Sequence, residues 1–390
     1  MNEIVINNHP VKIWTNEVED SAMEQIENLT KLPFLYHHLA VMPDVHTGMG
    51  MPIGGVLACV DTVIPNAVGV DIGCGMCAVK TSLKVSEIDR TVLRKQVLSQ
   101  VRSLIPLGMT HHKTAQDETL MPQGYDIDKM HVVREQYDSA LHQLGTLGGG
   151  NHFIEFQSDE EDNLWIMIHS GSRNLGKMVG DYYNKKAKEL NEKWQSEVSP
   201  SMRLAYLPLT EPEFNEYWAE MEYCIEFALC NRRLMMSRIQ DVLTSVFGAV
   251  EFAPMINIAH NYAAWETHFG NRVVIHRKGA TFAGKGTIGI IPGSQGSASY
   301  IVEGKGNAES FCSCSHGAGR VLSRTAAIKN LDMEAEVQRL EDIGVIHAIR
   351  SHNDLQEAPS AYKDIVTVIN NQLDLIEVKT RLMPVAVIKG

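Results

Sequence analysis

The sequence FCSCSHGAGR, Phe311 to Arg320, places one histidine, His316, among small residues. A second glycine-rich run, PGSQGSAS, precedes it from Pro292 to Ser299. Small side chains let backbone N–H groups come close to a phosphate, and a histidine there can reach the phosphorus atom. The alternative is a turn and a helix start, with His316 as a surface or capping residue. The rest of the chain favours the first hypothesis, because further histidines, a cysteine and an aspartate lie in similar glycine-rich segments.

The composition is that of a soluble globular protein, with 44% hydrophobic and 21% charged residues among 390. The length allows one large domain or two to three ordinary ones. A net charge of −12 argues against broad, sequence-independent binding of a nucleic-acid duplex, although it leaves a local basic groove open. Seven scattered cysteines, an N-terminus without an apolar signal region and the absence of a membrane-length apolar run predict a cytoplasmic protein with reduced thiols.

Hydrophobic periodicity predicts both strands and helices. Residues 1–14 alternate and predict a hairpin, whereas four glycines and two prolines predict a loop from Met42 to Gly55. Helices are predicted over 18–29, 86–105, 127–144, 177–194 and 211–247, and the His316 segment is predicted to open another. Strands are predicted to end at His169 and His260 and to include 273–281, 344–350 and 382–390. Methionines of the long helix 211–247 are predicted to be core residues.

No internal repeat, low-complexity tract or clear linker divides the chain. The histidine-bearing turns span residues 44–316, so the site is assembled from most of the chain. This favours one integrated domain over 1–390, with the helices at about 86–144 as a peripheral insertion.

Five residues are predicted to lie at or near the C-terminal end of an apolar, strand-like run, next to glycine, serine or asparagine: Asp71, Cys74, His152, His169 and His260. Ligands gather at such strand ends. Imidazole, carboxylate and thiolate groups together predict a metal site, and five exceed what one tetrahedral metal needs. Two metals sharing the Cys74 thiolate would use them all and would suit phosphoryl chemistry. The ligands leave zinc, cobalt and manganese open, and each residue alone is also explained as a satisfied buried polar group.

The segment Cys74-Gly-Met-Cys77 also fits the C-x-x-C pattern of a redox pair or half a zinc site. No second C-x-x-C exists, and no helix pattern follows this one. Cys77 is therefore predicted to be a packing residue.

His316 can be a sixth metal ligand, a general base or a nucleophile. A neutral imidazole can attack phosphorus at neutral pH without a separate base. Hydrogen-bond and charge donors suited to phosphate oxygens are Asn151, Ser294, Ser299, Arg173 and Lys278. Arg173 and Lys278 are equally well explained as surface ion-pair residues.

Together these motifs resemble the RtcB family of RNA ligases. The matching pieces occur in the family's order over almost the whole chain: MPDVHTGMGMPIGG, GVDIGCGM, LGGGNHFIEF, HSGSRNLG, AHN, HRKGAT, PGSQGSAS, SCSHGAGR, EAPSAYKD and VIKG. The resemblance implies a compact single α+β domain with mixed β-sheets and surrounding helices. It also implies an enzyme of transfer-RNA splicing or RNA repair that joins 2′,3′-cyclic-phosphate or 3′-phosphate RNA ends to 5′-hydroxyl ends, using GTP and two manganese ions per active site.

The resemblance implies a role for each matching residue. Cys74 bridges the metals, His169 and His260 complete one ligand set, and Asp71 and His152 complete the other. His316 attacks the α-phosphorus of GTP, the guanylate passes to the RNA 3′-phosphate, and the 5′-hydroxyl displaces GMP. Arg173 is implied to face an RNA phosphate. The residues implied to hold the guanylate are Asn151, Glu155, Ser294, Ser299, Ala318, Tyr362 and Lys389.

Two hypotheses compete with this one. A metal-dependent phosphoesterase or cyclic phosphodiesterase would only hydrolyse and would not need His316. An RNA-binding protein with a structural metal would not respond to GTP. The physiological RNA, the oligomeric state and any accessory activating protein stay open.

Overall fold

Seventeen strands frame the protein in a computed structural model that describes all residues, Met1–Gly390. The first nine are β1 Asn2–Ile6, β2 His9–Ile13, β3 Leu35–His46, β4 Ile53–Cys59, β5 Thr62–Val63, β6 Gly75–Lys84, β7 Phe153–Ser158, β8 Asn163–Ser170 and β9 Leu207–Pro208. The others are β10 Ile256–Ala259, β11 Asn261–His268, β12 Asn271–Lys278, β13 Ala280–Phe282, β14 Ile288–Ile291, β15 Ser299–Gly304, β16 Ser313–Ser315 and β17 Ile376–Lys389.

Ten α-helices accompany the strands. They are α1 Asp20–Leu29, α2 Pro65–Val68, α3 Arg90–Val92, α4 Leu98–Leu104, α5 His131–Gln143, α6 Arg173–Lys193, α7 Pro212–Phe247, α8 Arg324–Asn330, α9 Met333–Asp342 and α10 Ile365–Asn370. A π-helical turn, Leu93–Val97, joins α3 to α4. Short 3₁₀ turns lie at Val85–Glu87, Glu118–Leu120, Ile127–Lys129, Pro200–Met202, Ala308–Ser310, His352–Glu357 and Pro359–Ala361.

Two large sheets carry the fold. One has the order β1-β2-β3-β4-β12-β11, and the other has the order β10-β6-β8-β7-β17-β15-β14. Nearly all neighbouring strands are antiparallel, and β2 with β3 is the parallel exception. In the second sheet His169 lies opposite both Met76 and Phe153, and Phe153 also lies opposite Lys389. The register therefore brings four distant parts of the sequence to one end of this sheet.

The long helix α7 covers the second sheet. Strand β8 reads NLWIMIHS and is buried along its whole length, as expected of a strand covered on both faces. Met235, Met236 and Ile239 of α7 pack in one core cluster with Ile166 and Ile168 of β8. Burying a side chain of this kind contributes about 1.5–3 kcal/mol. The predicted core role of the α7 methionines is confirmed.

The α+β class is confirmed, but three local predictions are wrong. Residues 42–46 are not loop, because β3 continues through them to His46 with an irregular register against β4. The His316 segment does not open a helix: β16 precedes it, and the next helix starts after Ser323, whose hydroxyl accepts from Ala326 N. Residues 344–350 form no strand, since only Ile346 makes an isolated bridge to Ala386. Their apolar residues are buried without period-two alternation.

The segment 86–144 contributes to two cores. Leu93, Val97 and Val101 pack with the second sheet, while Val132 and Val133 pack with α7 and α6. The division into one domain with a peripheral insertion stays a prediction. No helix of the chain combines the length and the apolar character needed to cross a membrane.

Candidate active site and metal centre

Three predicted metal ligands meet at the end of the second sheet. His169 lies near the end of β8, as predicted, but Cys74 precedes β6 and His152 precedes β7, so the predicted position at the C-terminal end of a strand is wrong for these two. The Cys74 Sγ atom lies 3.4 Å from His152 Nε2 and 3.2 Å from His169 Nε2. One ligand atom from each residue falls within 4.8 Å of the others, and all three residues are buried. This spacing suits a shared metal ion.

Backbone carbonyls orient two of these imidazoles. The carbonyl oxygen of Leu147 lies 3.0 Å from His152 Nδ1, and that of Asn151 lies 3.1 Å from His169 Nδ1. A carbonyl oxygen only accepts, so each Nδ1 carries the proton and donates. Each Nε2 therefore presents its lone pair towards Cys74, as metal-binding histidines do.

The other two predicted ligands flank this group. Asp71 Oδ2 lies 3.3 Å from His152 Nε2. The ring centre of His260 lies 5.2 Å from that of His169, and its buried Nδ1 has no hydrogen-bond partner. Glycine at 171 is required for this packing, because an added Cβ would lie 2.4 Å from Asp71 Oδ1. The structure thus brings all five predicted ligands together.

Burial keeps the imidazoles of His169 and His260 and the thiol of Cys74 neutral. It lowers the pKa of His169 and of His260 well below the usual range, with a smaller contribution from neighbouring histidine charges. Burial, then the charge of Asp71, raises the pKa of the Cys74 thiol well above its usual range. Neutral imidazoles bind metals directly, and a bound cation would displace the thiol proton. The donor set and the unpaired His260 nitrogen therefore fit a divalent metal.

A buried carboxylate holds His316 beside this group. Asp44 Oδ2 lies 2.6 Å from His316 Nδ1 and also accepts from the backbone N–H groups of His316 at 3.1 Å and Gly317 at 3.3 Å. Asp44 is completely buried, so its charge is directed at this imidazole. The ring of His316 lies 4.8 Å from that of His260, centre to centre. Nδ1 donates to Asp44, which leaves Nε2 as the free, basic nitrogen.

His316 faces a cavity of about 500 Å³. Glycine-rich residues 292–295 and 316–319 form part of its wall, as the first sequence pattern predicted. The predicted site residues that line it are Asn151, Glu155, His169, Ser294, His316, Ala318, Tyr362 and Lys389. Ser299 lies behind the wall, where its hydroxyl accepts from Gly293 N at 3.1 Å. We call the side of the cavity next to the five metal-ligand candidates the metal end, and the side near Glu155, Tyr362 and Lys389 the nucleotide end. One cavity therefore joins the metal end to most of the predicted nucleotide-binding residues.

Glu357 organises the far side of the cavity. Its carboxylate accepts from Lys389 Nζ at 3.2 Å, Arg320 NH1 at 3.2 Å and Arg324 Nε at 3.3 Å, and it also accepts from the Tyr362 hydroxyl. Burial alone would raise the pKa of Glu357, but Lys389, the Tyr362 hydroxyl and the two arginines hold it at about 2. Tyr362 and Lys389 are thus fixed by one ionised carboxylate.

Glu155 is a contrasting carboxyl group in the same cavity. Burial raises its pKa to about 8, although a hydrogen bond from Gln157 and the charge of Lys389 oppose the shift. Gln157 Nε2 donates to Glu155 Oε1 at 2.6 Å and to Ser299 Oγ at 3.0 Å. Gln157 therefore links Ser299 to Glu155 behind the cavity wall.

Comparison with known proteins identifies the family. The sequence model described as tRNA-splicing ligase RtcB matches residues 25–390. The chain belongs to the RtcB family. It is 39% identical to RNA-splicing ligase RtcB of Escherichia coli (strain K12), with 99% of each protein covered. It is 32% identical to tRNA-splicing ligase RtcB of Nanoarchaeum equitans (strain Kin4-M), covering 98% of this chain and 96% of the relative.

Two residues predicted to contact phosphate do not line the cavity of this RtcB family member. Arg173 donates from Nε to Thr146 Oγ1 and from NH2 to the Gly108 carbonyl, both at 3.1 Å. The Lys278 ammonium donates to the carbonyls of Met49 at 2.6 Å and Asn66 at 2.9 Å. Burial lowers the pKa of Lys278 to about 7. The structure therefore gives Lys278 a local role in holding the loop at Met49 against α2.

The sequence analysis assigned no role to three residues that shape this RtcB site. Asp44 lies in the glycine-rich MPDVH segment, and its spacing of two from His46 was the available signal. Arg232, buried in α7, donates from NH1 to the carbonyls of Gly73 at 3.1 Å and Ser170 at 2.7 Å. An arginine inside an apolar helical pattern was a signal for such a contact. Glu357 lies in the EAPSAYKD motif, in which the sequence analysis assigned a role to Tyr362 and none to Glu357.

Proposed function

We propose that the protein is a GTP- and Mn²⁺-dependent RNA ligase. It joins RNA ends carrying a 2′,3′-cyclic phosphate or a 3′-phosphate to 5′-hydroxyl ends through a histidine–guanylate intermediate, in transfer-RNA splicing or RNA repair. The observation that carries the proposal is the contact of His316 Nδ1 with Asp44 at 2.6 Å, beside the metal ligand candidates and inside the cavity.

His316 is the nucleophile of the first step. Asp44 holds the proton on Nδ1 and stabilises the positive charge that develops on the ring, as a carboxylate does for a catalytic histidine. The Nε2 lone pair attacks the α-phosphorus of GTP, a nitrogen–phosphorus bond forms, and pyrophosphate leaves with the electrons of the broken phosphorus–oxygen bond. No separate base is required, because Nε2 carries no proton.

Two Mn²⁺ ions would be held by Asp71, Cys74, His152, His169 and His260, and the Cys74 thiolate would be available to both. When bound, the ions neutralise phosphate charge and polarise the phosphorus–oxygen bonds. The protein itself fixes the direction of His152 and His169 through the Leu147 and Asn151 carbonyls. This preorganisation places the ligands beside His316 before substrate arrives.

Guanine is held at the far side of the cavity. An ionised Glu155 offers two acceptors, which match the donor groups on the Watson–Crick edge of guanine; adenine has no donor at the ring nitrogen. Lys389 and Tyr362, fixed by Glu357, complete this pocket together with Asn151, Ser294, Ser299 and Ala318. Small residues around Ser294 and Ala318 let backbone N–H groups reach the phosphate.

The RNA then receives the guanylate. An oxygen of the RNA 3′-phosphate attacks the guanylate phosphorus and releases His316. The 5′-hydroxyl next attacks the activated 3′-phosphate, and GMP leaves. A cyclic end is first hydrolysed to the 3′-phosphate. Burial lowers the pKa of Arg173, and the nearby charge of Asp71 partly opposes this shift. We propose that Arg173 faces an RNA phosphate beside the metals.

The proposal also covers cellular context. The cytoplasmic location predicted from the sequence belongs to it and requires a test of its own.

Labelling with α-phosphate-labelled GTP and Mn²⁺ tests this function. Wild-type protein should acquire an acid-labile, alkali-stable label, and His316→Ala should acquire none. His276→Ala is a matched control, because His276 lies outside the cavity, where its Nδ1 donates to the Leu57 carbonyl and its Nε2 accepts from Ile64 N. Absence of label in metal-loaded wild-type protein, with hydrolysis of cyclic phosphate surviving in His316→Ala, would replace the ligase with a phosphodiesterase.

A further inference from the structure

A second hollow, of about 250 Å³, lies outside the active cavity and is strongly basic. Arg90 and Arg94 reach it from the helical segment 90–104, while His347 and Arg350 reach it from the loop 344–350. Arg102 is exposed on the same helical segment and close enough to Arg94 and Arg350 to feel their charges. We name these five residues the arginine hollow.

The positive charges of the arginine hollow are not neutralised within the chain. Arginine–carboxylate pairs within 4.0 Å involve Arg277, Arg320, Arg324 and Arg339 only. Glu341 is the acidic side chain lining the hollow, and it forms no such pair. A protein with a net charge of −12 has ample carboxylates to neutralise four exposed arginines. Leaving them unpaired and adjacent is unfavourable in the free protein and favours binding of an anion.

Two further observations support an anion site. Burial, then the charges of Arg350 and Arg94, lowers the pKa of His347, whereas Glu341 opposes this shift. The Nδ1 atom of His347 is buried without a hydrogen-bond partner. The hollow therefore combines unsatisfied positive charge with an unsatisfied polar atom.

The arginine hollow adjoins the active cavity by two routes. Ala348, next to His347, donates its N–H to Gln295 Oε1 at 3.3 Å, and Gln295 lines the active cavity. On the other side, the chain continues from α4 to Gly108, whose N–H donates to the Gly148 carbonyl at 2.9 Å. Gly148 lies three residues before Asn151 in the cavity wall. The loop 344–350 thus connects the wall of the active cavity to the hollow.

We infer that the arginine hollow binds the phosphates of a single-stranded RNA segment that leaves the active cavity. The inference rests on the proposed function for the presence of RNA in that cavity. Guanidinium groups bind phosphate oxygens in a bidentate manner, and a local basic groove that tracks a strand is how acidic proteins bind RNA without a basic overall surface. An acidic protein segment would also satisfy the charges, but continuity with the active cavity favours RNA.

The test compares the wild type with Arg94→Gln/Arg102→Gln/Arg350→Gln. Arg90 is kept because its NH1 donates to the Gly344 carbonyl at 2.6 Å and holds the loop. Binding of a labelled single-stranded RNA of about 12 nucleotides with a 3′-phosphate, within the usual size of single-strand sites, is measured over a range of salt concentrations without GTP. We expect the slope of log Kd against log salt to fall by about 2, or about 0.7 for each lost phosphate contact.

Two comparisons separate this result from a general charge effect. Lys185→Gln/Lys188→Gln/Lys193→Gln removes three exposed charges from α6 and should leave the slope unchanged. A fragment of about 3 nucleotides, too short to reach the hollow, should bind the arginine variant and the wild type equally well.

Three outcomes would overturn the inference: an unchanged slope in the arginine variant, an equal loss in the lysine variant, or an equal loss for the short fragment. An unchanged slope would assign the hollow to an acidic protein partner. Guanylate labelling should be unaffected by the arginine substitutions. If the wild type acquires no guanylate label but the slope of log Kd against log salt still depends on the arginines, the proposed ligase function is wrong. The inference that the arginine hollow binds RNA would then still hold.

Discussion

The two ends of the active cavity use opposite electrostatic designs. At the metal end, the imidazoles of His169 and His260 and the thiol of Cys74 are neutral because burial disfavours their charged forms. At the nucleotide end, Glu357 stays ionised among Lys389, Arg320 and Arg324. The neutral donors at the metal end can bind a cation. At the nucleotide end, which we call the balanced end, the charge of Glu357 is already neutralised by the basic side chains around it. His316 lies between them, fixed by Asp44.

The difference indicates how each end depends on its ligand. The metal end gathers buried metal-ligand candidates, so a bound ion should stabilise it strongly. The nucleotide end satisfies its own charges, so it should keep its shape in the free protein. Substitutions at the two ends should therefore fail in different ways.

The largest effect is expected at the metal end, from Cys74→Ala. Loss of a shared ligand should weaken metal binding by more than about 100-fold, beyond the usual cost of losing an outer-sphere partner. Wild-type protein at 100 times the Kd for Mn²⁺ should gain about 2.7 kcal/mol of stability, and the variant should gain almost none at the same concentration. Chemical denaturation with and without Mn²⁺, together with measured metal content, checks this.

Cys77→Ala is the matched control. Cys77 is as buried as Cys74, but it packs in the apolar core under α7 and is not among the grouped ligand atoms. It should lose about 1 kcal/mol of stability from the small cavity that is created and keep its response to Mn²⁺. Equal loss of the metal response in both variants would mean that Cys74 acts only through packing.

The sequence predicted the metal end better than the nucleotide end for a physical reason. Asp71, Cys74, His152, His169 and His260 stand at the ends of apolar runs, and chemical type together with position marks them as ligand candidates. Antiparallel pairing of β6, β8 and β7 then brings most of them together. The register that sets His169 opposite Met76 and Phe153 could not be derived from local patterns, because pairing depends on contacts between distant segments.

Residues of the nucleotide end depend on loops. Glu357 lies at the end of a 3₁₀ turn, and its partners come from β17, the segment after β16 and α8. No periodic pattern indicates that these segments meet. Sequence reasoning also extended a loop over residues 42–46, because glycine and proline dominate 42–55, whereas the strand continues to His46 and carries buried Asp44. The orienting carboxylate of His316 was therefore left without a role.

Glu357→Gln, with the next largest effect on ligand-dependent function, tests the balanced end. Burial alone would raise the pKa of Glu357. The charge of Lys389, the hydrogen bond from Tyr362 and the charges of the two arginines instead hold it at about 2, compared with about 4.3 in an unfolded chain. Its ionised form therefore contributes about 3 kcal/mol of stability above about pH 4.3, which is lost as the pH falls towards 2. The variant should be less stable by about this amount at neutral pH and should approach the wild type in acid. Denaturation at several pH values measures both.

The same variant should lose about tenfold in guanylate labelling, equivalent to about 1.4 kcal/mol, because Tyr362 and Lys389 lose their common partner. Glu336→Gln is the control. Glu336 is also buried and accepts from Ser360 N at 3.3 Å, but it lies outside the cavity. It should reduce stability without affecting labelling. Labelling lost equally in both would show that Glu357 serves folding alone.

The smallest effect concerns Glu155. This carboxyl group lies at the nucleotide end, but burial favours its neutral form, as it does for the side chains of the metal end. Burial raises the pKa of Glu155 to about 8, so the free protein carries it mainly protonated at neutral pH. Guanine recognition requires the ionised form, because a carboxylate accepts from both donor groups of the base. Guanosine affinity should therefore rise about tenfold for each pH unit up to about pH 8 and then level off.

Guanosine lacks phosphate, so neither metal binding nor phosphate ionisation contributes to the profile. Glu155→Gln should bind guanosine weakly and show no such slope, since its amide does not titrate. Adenosine supplies the control ligand, and a slope that persists in Glu155→Gln would assign the titration to another group.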